Sequence, residues 1–375
     1  MNSALKNKAE NDKLHACVSC RKVLMLCRVS KRVRLKEVAE RAGVAVNTAS
    51  TILNRRPNSW ASKETEARVF AAAAEMGYRP NKTARALRSG RFHAIGLIIQ
   101  DVTNPFFCTI ADELEAAVEE RGYDLLVENC RSSQVREKHL LAELSDLEVD
   151  GSVLWLSNNE TFREELGQMF EQGRNVVALG NGVPETPVPV DAVLSDFTQG
   201  LQDAVEDLCR RGHKRFAFLS AHAEGTYDGS RSILFQQMLA KAGIPASDVH
   251  LLRTGHRIDQ AFETFRKFLG DCGSEHPTAL VAMNDIAALA CMRAATEVGL
   301  SVPKDLSIVG VDDIPLCGYL PITLSSIRQR YKMITKAAAD LLIQRIENPD
   351  DPTLCEPQQI VFPTIYTPRE SVSNV

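Results

Sequence analysis

Apolar positions in residues 34–54 repeat with the spacing of a helix. Leu35, Val38, Ala39 and Ala42 stand at i, i+3, i+4 and i+7, which predicts one buried face of a short helix. Gly43 follows, and glycine tolerates the left-handed backbone angles that end a helix sharply. A second short helix is predicted from residue 46 to residue 53. Two such helices joined by a tight turn indicate a helix-turn-helix.

The second predicted helix has one apolar and one polar side. Its apolar side carries Val46, Ala49 and Leu53, with Ile52 alongside. Its polar side carries amide and hydroxyl groups and no carboxylate: Asn47, Ser50, Thr51 and Asn54. Such a side can enter a DNA major groove without repelling phosphates and can bond to base edges. The alternative is an ordinary solvated helix face.

A third helix and a linker complete the N-terminal region. Ser62 is a good N-cap for the Ala-rich stretch that ends near Gly77, and this helix would close a three-helix core. Residues 79–91 follow, with Pro80 ending the preceding helix and Gly90 closing the segment. The stretch between them permits a helix but is shorter than the ~12 residues that an isolated helix needs. The alternative is an ordinary flexible basic linker.

From residue 94 the pattern changes to short continuous apolar runs that alternate with helical stretches. Runs such as AIGLIIQ, GSVLWLS and NVVALGN are bounded by Gly, Asn or Asp, and a second set includes RFAFLSA, TALVAM and LSIVGVDD. This alternation predicts parallel sheets with helices on both faces. The predicted fold class is therefore α/β, with a three-helix headpiece followed by two doubly wound lobes.

Charge divides the chain in the same place. Residues 1–93 contain 20 Lys and Arg against 7 Asp and Glu, whereas the remainder contains 24 against 41. A basic end on an acidic body is typical of a nucleic-acid-binding module attached to another domain. No apolar run approaches the roughly 20 residues that span a bilayer, and no signal peptide is recognisable, so we expect a cytoplasmic protein.

Residues 1–32 are polar and basic and leave three readings open. The cluster of His15, Cys17, Cys20 and Cys27 has the elements of a zinc knuckle but lacks the second Cys/His pair of a closed site. A disordered basic extension is one alternative, and a true start at Met25 is the favoured one. We expect the ten cysteines to be reduced and no metal or cofactor to be bound.

Several ordered motifs resemble the lactose-repressor (LacI/GalR) family of bacterial transcription regulators. They are LKEVAERAGV, SKETEARV, AAAAEMGYRPN, ARALRSG, IGLIIQDVTNPFF, RRGHKRFAFL, AMNDIAALACMRAATEVGL and VPKDLSIVGVDDIPL. The resemblance implies a helix-turn-helix domain at residues 33–78, a hinge helix at 79–92, and a periplasmic-binding-protein-like domain at 93–375. It also implies interleaved lobes, the first about 93–192 plus 325–362 and the second about 193–324 plus 363–375.

The resemblance implies that the hinge orders on DNA and that Leu87 wedges into the minor groove at the operator centre. The candidate DNA-binding residues are Leu35, Val46, Asn47, Thr48, Ser50, Thr51, Asn54, Asn81, Ala84 and Leu87. Two positions depart from the family pattern. Ala45 stands where a capping Ser is common, and Thr51 stands where many members have a base-reading Arg or His.

Polar residues at the carboxyl ends of strands are the candidates for a small-molecule site, because ligands of open parallel sheets bind there. The candidates are Asp101, Asn104, Phe106, Phe107, Arg231, Asp285 and Asp312, with Ser157 and Asn158 after a further strand. The family pattern implies that Arg231 and Asp285 hold the effector from the second lobe. Asp285 has an alternative role as the cap of the helix that it begins.

These features predict a DNA-binding regulator, most simply a repressor, whose operator affinity a small molecule controls. The sequence has none of the phosphate-binding, zinc-protease or serine-hydrolase motifs GxxxxGK[ST], HExxH and GxSxG, so we expect no enzyme. A sugar receptor of the periplasm would have a signal peptide and no headpiece. We expect a homodimer on a near-palindromic operator and a sugar effector, with a purine-like effector as the alternative.

Overall fold

The computed structural model describes residues 33–53, 61–78, 90–144, 147–221 and 229–375. The chain divides into two compact units, residues 1–90 and residues 91–375. Each unit has a hydrophobic core of its own.

The first unit contains the predicted helix-turn-helix. Its helices are α1 (Leu35–Ala42), α2 (Val46–Leu53) and α3 (Lys63–Glu75). Gly43 ends α1 with a φ of 67°, and Ser62 Oγ accepts a hydrogen bond of 3.3 Å from the backbone N–H of Thr65. The core comprises Val38, Ala39, Ala42, Ala49, Ile52, Val69, Ala72 and Ala73.

The second unit alternates strands and helices as predicted. Its strands are β1 (Ala94–Ile99), β2 (Asp124–Asn129), β3 (Gly151–Trp155), β4 (Val176–Asn181), β5 (Asp191–Asp196), β6 (Phe216–Ala221), β7 (Val249–Thr254), β8 (Ala279–Ala282), β9 (Ser307–Asp312), β10 (Ser325–Arg328), β11 (Gln359–Pro363) and β12 (Ile365–Thr367). Its helices are α4 (Pro105–Glu119), α5 (Gln134–Glu143), α6 (Arg163–Glu171), α7 (Thr198–Arg210), α8 (Gly229–Lys241), α9 (Ile258–Cys272), α10 (Asp285–Glu297) and α11 (Tyr331–Glu347).

Among the described residues the strands form two six-stranded sheets. The order in the first is β11-β5-β4-β3-β1-β2, and in the second it is β12-β10-β9-β8-β6-β7. All pairs are parallel except β10 with β12. Each sheet with its helices is one lobe, called lobe 1 and lobe 2 below. The α/β class with two doubly wound lobes is confirmed.

The chain passes between the lobes at places that correct the predicted boundaries. All of β5 pairs within lobe 1, so the first passage follows Asp196 and does not begin at residue 193. Strand β10 pairs with β9 of lobe 2, which moves the second passage from residue 325 to residues 329–330. The third passage lies at Thr364, between β11 in lobe 1 and β12 in lobe 2. Strand β10 is short and begins with two polar residues, Ser325–Ser326, so the hydrophobic pattern did not predict it.

No helix in the described ranges combines the length and the apolar character needed to cross a membrane.

Candidate functional site

A cavity of about 140 Å³ lies where the carboxyl ends of both sheets meet. Lobe 1 contributes side chains that follow β1, β3 and β4, and lobe 2 contributes side chains that follow β6, β7, β8 and β9. The lining residues are Gln100, Asp101, Asn104, Phe106, Phe107, Ser132, Trp155, Leu156, Ser157, Asn181, Ala221, Arg231, His256, Met283, Asn284 and Asp312. Six of the seven candidates predicted from the sequence are therefore brought together. This is the position at which ligands of doubly wound sheets bind.

The start of α4 forms the aromatic part of the cavity. Asn104 caps this helix, since its Oδ1 accepts a 3.1 Å hydrogen bond from the backbone N–H of Phe106. The rings of Phe106 and Trp155 meet edge to face with centroids 5.1 Å apart, and Phe107 meets Trp155 in the same way at 5.7 Å. Edge-to-face packing is a favourable arrangement of aromatic rings and holds this part of the cavity in place.

Arg231 on α8 approaches the cavity from lobe 2. Its Nη1 donates a 3.0 Å hydrogen bond to the carbonyl oxygen of Met283, at the end of β8. Its guanidinium carbon lies 5.1 Å from the ring centroid of Phe197, within the range of a cation–π interaction. These contacts orient the guanidinium, whose planar set of donors suits hydroxyl or carbonyl oxygens of a ligand.

Asp312 ends β9 in a strained backbone conformation, with a φ of 100°. Its Oδ1 accepts a 2.8 Å hydrogen bond from Gln329 Nε2, and Gln329 Oε1 accepts a 2.6 Å hydrogen bond from Ser195 Oγ. Burial raises the pKa of Asp312 well above its ordinary value, and the nearby Asp285 carboxyl raises it further. A strained, buried acid that lines a cavity is a common feature of a functional site.

The prediction that Asp285 faces the cavity is wrong. Asp285 is 1% exposed and does not line the cavity, because its carboxylate points into the interior of lobe 2. Its Oδ2 accepts a 2.8 Å hydrogen bond from the backbone N–H of Ile314, and its Oδ1 accepts one of 2.6 Å from Ser326 Oγ. It does not cap α10 either. Asn284 does so, with Oδ1 accepting a 2.8 Å bond from Ala287 N–H, and Asn284 is the residue that lines the cavity.

Sequence reasoning also missed several lining residues. Gln100, Asn181 and Asn284 directly follow or end strands, so the rule of carboxyl ends would have found them. Ser132 and His256 lie in loops after the edge strands β2 and β7, and nothing in the local pattern distinguishes them. Asn158, proposed together with Ser157, is not in the lining.

The helix proposed to read DNA is partly exposed on its expected side. Asn47 is exposed, and Thr48, Ser50 and Thr51 are half-buried, as is Leu35 on α1. Val46 is also exposed, although the sequence pattern placed it on the apolar side of the helix. Thr51 Oγ1 donates a 2.9 Å hydrogen bond to the carbonyl oxygen of Asn47 one turn earlier. Other predictions lie outside the described residues: Asn54, Asn81, Ala84, Leu87 and the His15/Cys17/Cys20/Cys27 cluster.

Family models match both units. The model described as bacterial regulatory proteins, lacI family, matches residues 34–81, and that of a periplasmic binding protein-like domain matches residues 205–372. Catabolite control protein A of Priestia megaterium is 30% identical over 333 residues, covering 88% of this chain and 98% of the relative. The chain belongs to the LacI family.

Other similarities agree with this assignment. The transcriptional repressor PurR of Photobacterium profundum is 27% identical and covers 84% of this chain and 92% of its own. The Lac repressor bound to ONPG superposes with a TM-score of 0.75 at 25% identity, covering 91% of this chain and all of its own. A LacI-family regulator of Enterococcus faecium with bound ribose superposes at 0.63 with 26% identity, covering 75% and 99%. This LacI-family member is therefore a DNA-binding transcriptional repressor and not an enzyme.

Proposed function

We propose that this repressor binds a small polar ligand between its lobes and that the ligand controls its affinity for operator DNA. The observation that carries the proposal is the cavity itself, because its polar side chains come from both lobes. A ligand that contacts both lobes favours one lobe arrangement over another, which is what control of a distant site requires.

A monosaccharide is the ligand that the cavity supports best. Amide, hydroxyl and carboxylate groups surround one aromatic face, a combination that suits the hydroxyl groups and the C–H face of a sugar. The cavity volume of about 140 Å³ is close to that of a protein cavity of about 150 Å³ that holds one benzene ring. The Enterococcus faecium relative was solved with ribose, a sugar of one ring.

A nucleobase is the second candidate ligand. The Phe106, Phe107 and Trp155 cluster offers an aromatic surface for a planar base. The Asn104, Asn181 and Asn284 amides could bond to the polar edge of that base.

We further propose that the repressor acts in the cytoplasm as a homodimer on a near-palindromic operator. Strand β2 is at the edge of its sheet and exposes Leu126 and Val127, each 44% accessible, and the edge strand β7 exposes Leu251. Apolar edge strands are usually covered, and a second copy of this chain would cover them. A two-fold dimer presents two copies of α2 to two related half-sites.

The first experiment joins ligand and DNA binding. DNA selected from a random pool by the purified repressor would supply the operator, and its two-fold symmetry would test the dimer. A thermal-shift screen with D-ribose, D-xylose, D-glucose, D-galactose, adenine, guanine and hypoxanthine would then find the ligand. A ligand at 100 times its Kd adds about 2.7 kcal/mol of stability.

Arg231→Ala tests the cavity. This variant should keep operator binding within about twofold but lose the effect of the ligand, because a buried charged donor to the ligand contributes about 1.5–3 kcal/mol. The matched control is Arg266→Ala, which removes an arginine paired with Glu263 on the surface of α9. A normal ligand response in Arg231→Ala would remove Arg231 from the site. A screen in which no compound stabilises the wild type would contradict both ligand classes.

A further inference from the structure

Glu137 is a buried carboxylate that lies behind the cavity. It occupies the first turn of α5, is 0% exposed and is not among the lining residues. Its side chain reaches the ends of two neighbouring strands of lobe 1, β1 and β3, where Gln100 and Ser157 line the cavity. A carboxylate in such a place is costly unless donors surround it. Gln100 and Ser157 are those donors, so Glu137 determines which of their atoms remain available to a ligand.

The amide of Gln100 has only one orientation that satisfies its neighbours. Its Nε2 donates a 2.5 Å hydrogen bond to Glu137 Oε1 and a 2.9 Å hydrogen bond to the carbonyl oxygen of Trp155. Both partners accept, so the opposite orientation would place Oε1 against two acceptors. Both amide protons of Gln100 are therefore used. No other described residue donates to Gln100 Oε1, which remains as an acceptor for the cavity.

Ser157 is fixed in the same way. Its backbone N–H donates a 2.5 Å hydrogen bond to Glu137 Oε1, and its hydroxyl donates a 2.7 Å hydrogen bond to Glu137 Oε2. A hydroxyl has one proton, so Ser157 Oγ can only accept from a ligand. Asp101, which is next to Gln100, adds a carboxylate whose Oδ1 already accepts from Thr103.

We infer that Glu137 is a positioning residue that makes Gln100 and Ser157, on the lobe 1 side of the cavity, a pair of hydrogen-bond acceptors. The inference rests on the proposed function, in that the cavity takes a small ligand. A ligand must then direct at least two donors, such as adjacent hydroxyl groups, toward Gln100 and Ser157. A carboxylate, a phosphate or a carbonyl oxygen at that position meets only acceptors and is excluded.

Lobe 2 contributes two donors to the same cavity. Arg231 only donates, and Asn284 uses its Oδ1 to cap α10, which leaves its Nδ2 protons for the cavity. The cavity therefore contains two acceptors, Gln100 and Ser157, and two donors, Arg231 and Asn284, whose directions are fixed. A neutral polyhydroxylated ligand satisfies both, since each hydroxyl donates one bond and accepts others. Glu137 fixes the directions of Gln100 and Ser157, and the α10 backbone fixes that of Asn284.

Replacing Glu137 by glutamine should turn one accepting oxygen into a donating NH₂ group without changing the shape of the side chain. The single carbonyl oxygen of the introduced amide would accept from the Gln100 amide and from Ser157 N–H, which leaves the introduced NH₂ group to donate to Ser157 Oγ. The Ser157 proton would then turn toward the cavity. Glu137→Gln should thus convert Ser157 from an acceptor into a donor, so that a ligand hydroxyl that donates to Ser157 in the wild type would lose this bond and meet a proton.

The decisive measurement is a comparison of Glu137→Gln, Ser157→Ala and the double variant. The probe is the neutral sugar of the ribose, xylose, glucose and galactose panel that most stabilises the wild type. Ser157→Ala removes an acceptor and should weaken the neutral probe about 3- to 10-fold. Glu137→Gln should weaken it by more than about tenfold, and adding Ser157→Ala to Glu137→Gln should recover affinity toward that of Ser157→Ala alone.

A double variant no tighter than Glu137→Gln would overturn the inference, because a merely structural role of Glu137 predicts no recovery.

If no sugar binds, the proposed ligand class is contradicted, but the role of Glu137 in orienting Gln100 can still be tested without a ligand. Gln100→Glu would place two accepting carboxylates together and should lower the Tm. Adding Glu137→Gln would restore a donor and raise the Tm above that of Gln100→Glu. Failure of the second change to restore stability would show that the Gln100 amide is not oriented by Glu137.

Discussion

Asn284 and Asp285 are adjacent in the chain, yet their side chains serve different parts of the molecule. Asn284 has an extended backbone before α10 and faces the cavity, whereas Asp285 is the first residue of the helix and packs toward β9. A Cβ placed on Gly310 would lie 2.1 Å from Asp285 Oδ1, so the glycine makes room for this carboxylate. The Asp285 carboxylate thus holds lobe 2 together through Ile314 and Ser326.

The buried Asp285 carboxyl should make stability depend on pH. Burial raises its pKa, against the opposing effect of hydrogen bonds from Ser326, Ile314 and Cys317, and the neighbouring Asp313 carboxylate adds to the rise. Above its unfolded pKa of 3.8 and below its raised folded pKa, the folded state holds a proton that the unfolded state has released. Folding stability therefore falls as pH rises through this window.

Asp285→Asn should remove that component. The difference in free energy of unfolding between wild type and variant should decrease from about pH 5 to about pH 8, as the folded wild-type carboxyl loses its proton. Urea unfolding at several pH values measures it. The exposed Asp259→Asn, on α9, serves as the control and should give a nearly constant difference over this range. A constant difference for Asp285→Asn as well would contradict the prediction.

The sequence predicts where cavity residues lie in the chain better than it predicts the direction in which their side chains point. Asp101, Asn104 and Arg231 were found because strand ends and helix starts are visible as patterns. Asn284 and Asp285 could not be distinguished, because both are good capping residues and one turn of backbone decides which side chain faces the cavity. Glu137 could not be found at all, since its partners Gln100 and Ser157 are 37 and 20 residues away in the chain.

At the scale of elements, α2 combines a buried side with a side available to DNA. Ala49 and Ile52 are fully buried against α1 and α3, which fixes the rotation of the helix. Val46 and Asn47 consequently project outward. The Thr51 hydroxyl is occupied by its bond to the Asn47 carbonyl, so it has no proton left for a base acceptor.

Asn47 should therefore contribute more to base discrimination than Thr51. Asn47→Ala removes a side chain that can bond to a base edge with two groups, and it should reduce discrimination between operator and single-base variants by roughly 1–3 kcal/mol at one position. Thr51→Ala should reduce this discrimination by less than about half of that amount, because the hydroxyl is already bonded within the helix. Titrations at fixed salt measure both variants. Equal losses, or a larger loss for Thr51→Ala, would contradict this assignment.

At the scale of the whole second unit, two of the passages between lobes are joined by a buried chain of hydrogen bonds. Ser195 lies at the end of β5 in lobe 1, Gln329 lies between β10 and α11, and Asp312 ends β9 at the cavity. The sequence predicted three passages but misplaced the second, because the four residues of β10 are too few and too polar to show a strand pattern. The chain of hydrogen bonds depends on that placement and was not predictable.

This arrangement connects ligand contact with the relative position of the lobes. Asp312 lines the cavity, Gln329 holds Asp312, and Ser195 holds Gln329 from lobe 1. Ser195→Ala breaks only the bond to lobe 1 and leaves the bond between Gln329 and Asp312, so the cavity itself should be preserved. The variant should bind the stabilising sugar within about fivefold of the wild type, since the loss of one distant hydrogen bond is about 1 kcal/mol or less at the ligand.

The coupling between ligand and operator should respond more strongly to this variant. The ratio of operator affinities with and without ligand should fall about 5- to 10-fold in Ser195→Ala, equivalent to roughly 1–1.4 kcal/mol of coupling free energy. The control is Ser220→Ala, whose hydroxyl bonds to the Leu252 carbonyl within lobe 2 and joins no passage. That variant should lose a similar amount of stability and keep the wild-type ratio. If both serine variants keep the ratio, or both lose it equally, the chain through Gln329 does not transmit the ligand's effect between the lobes.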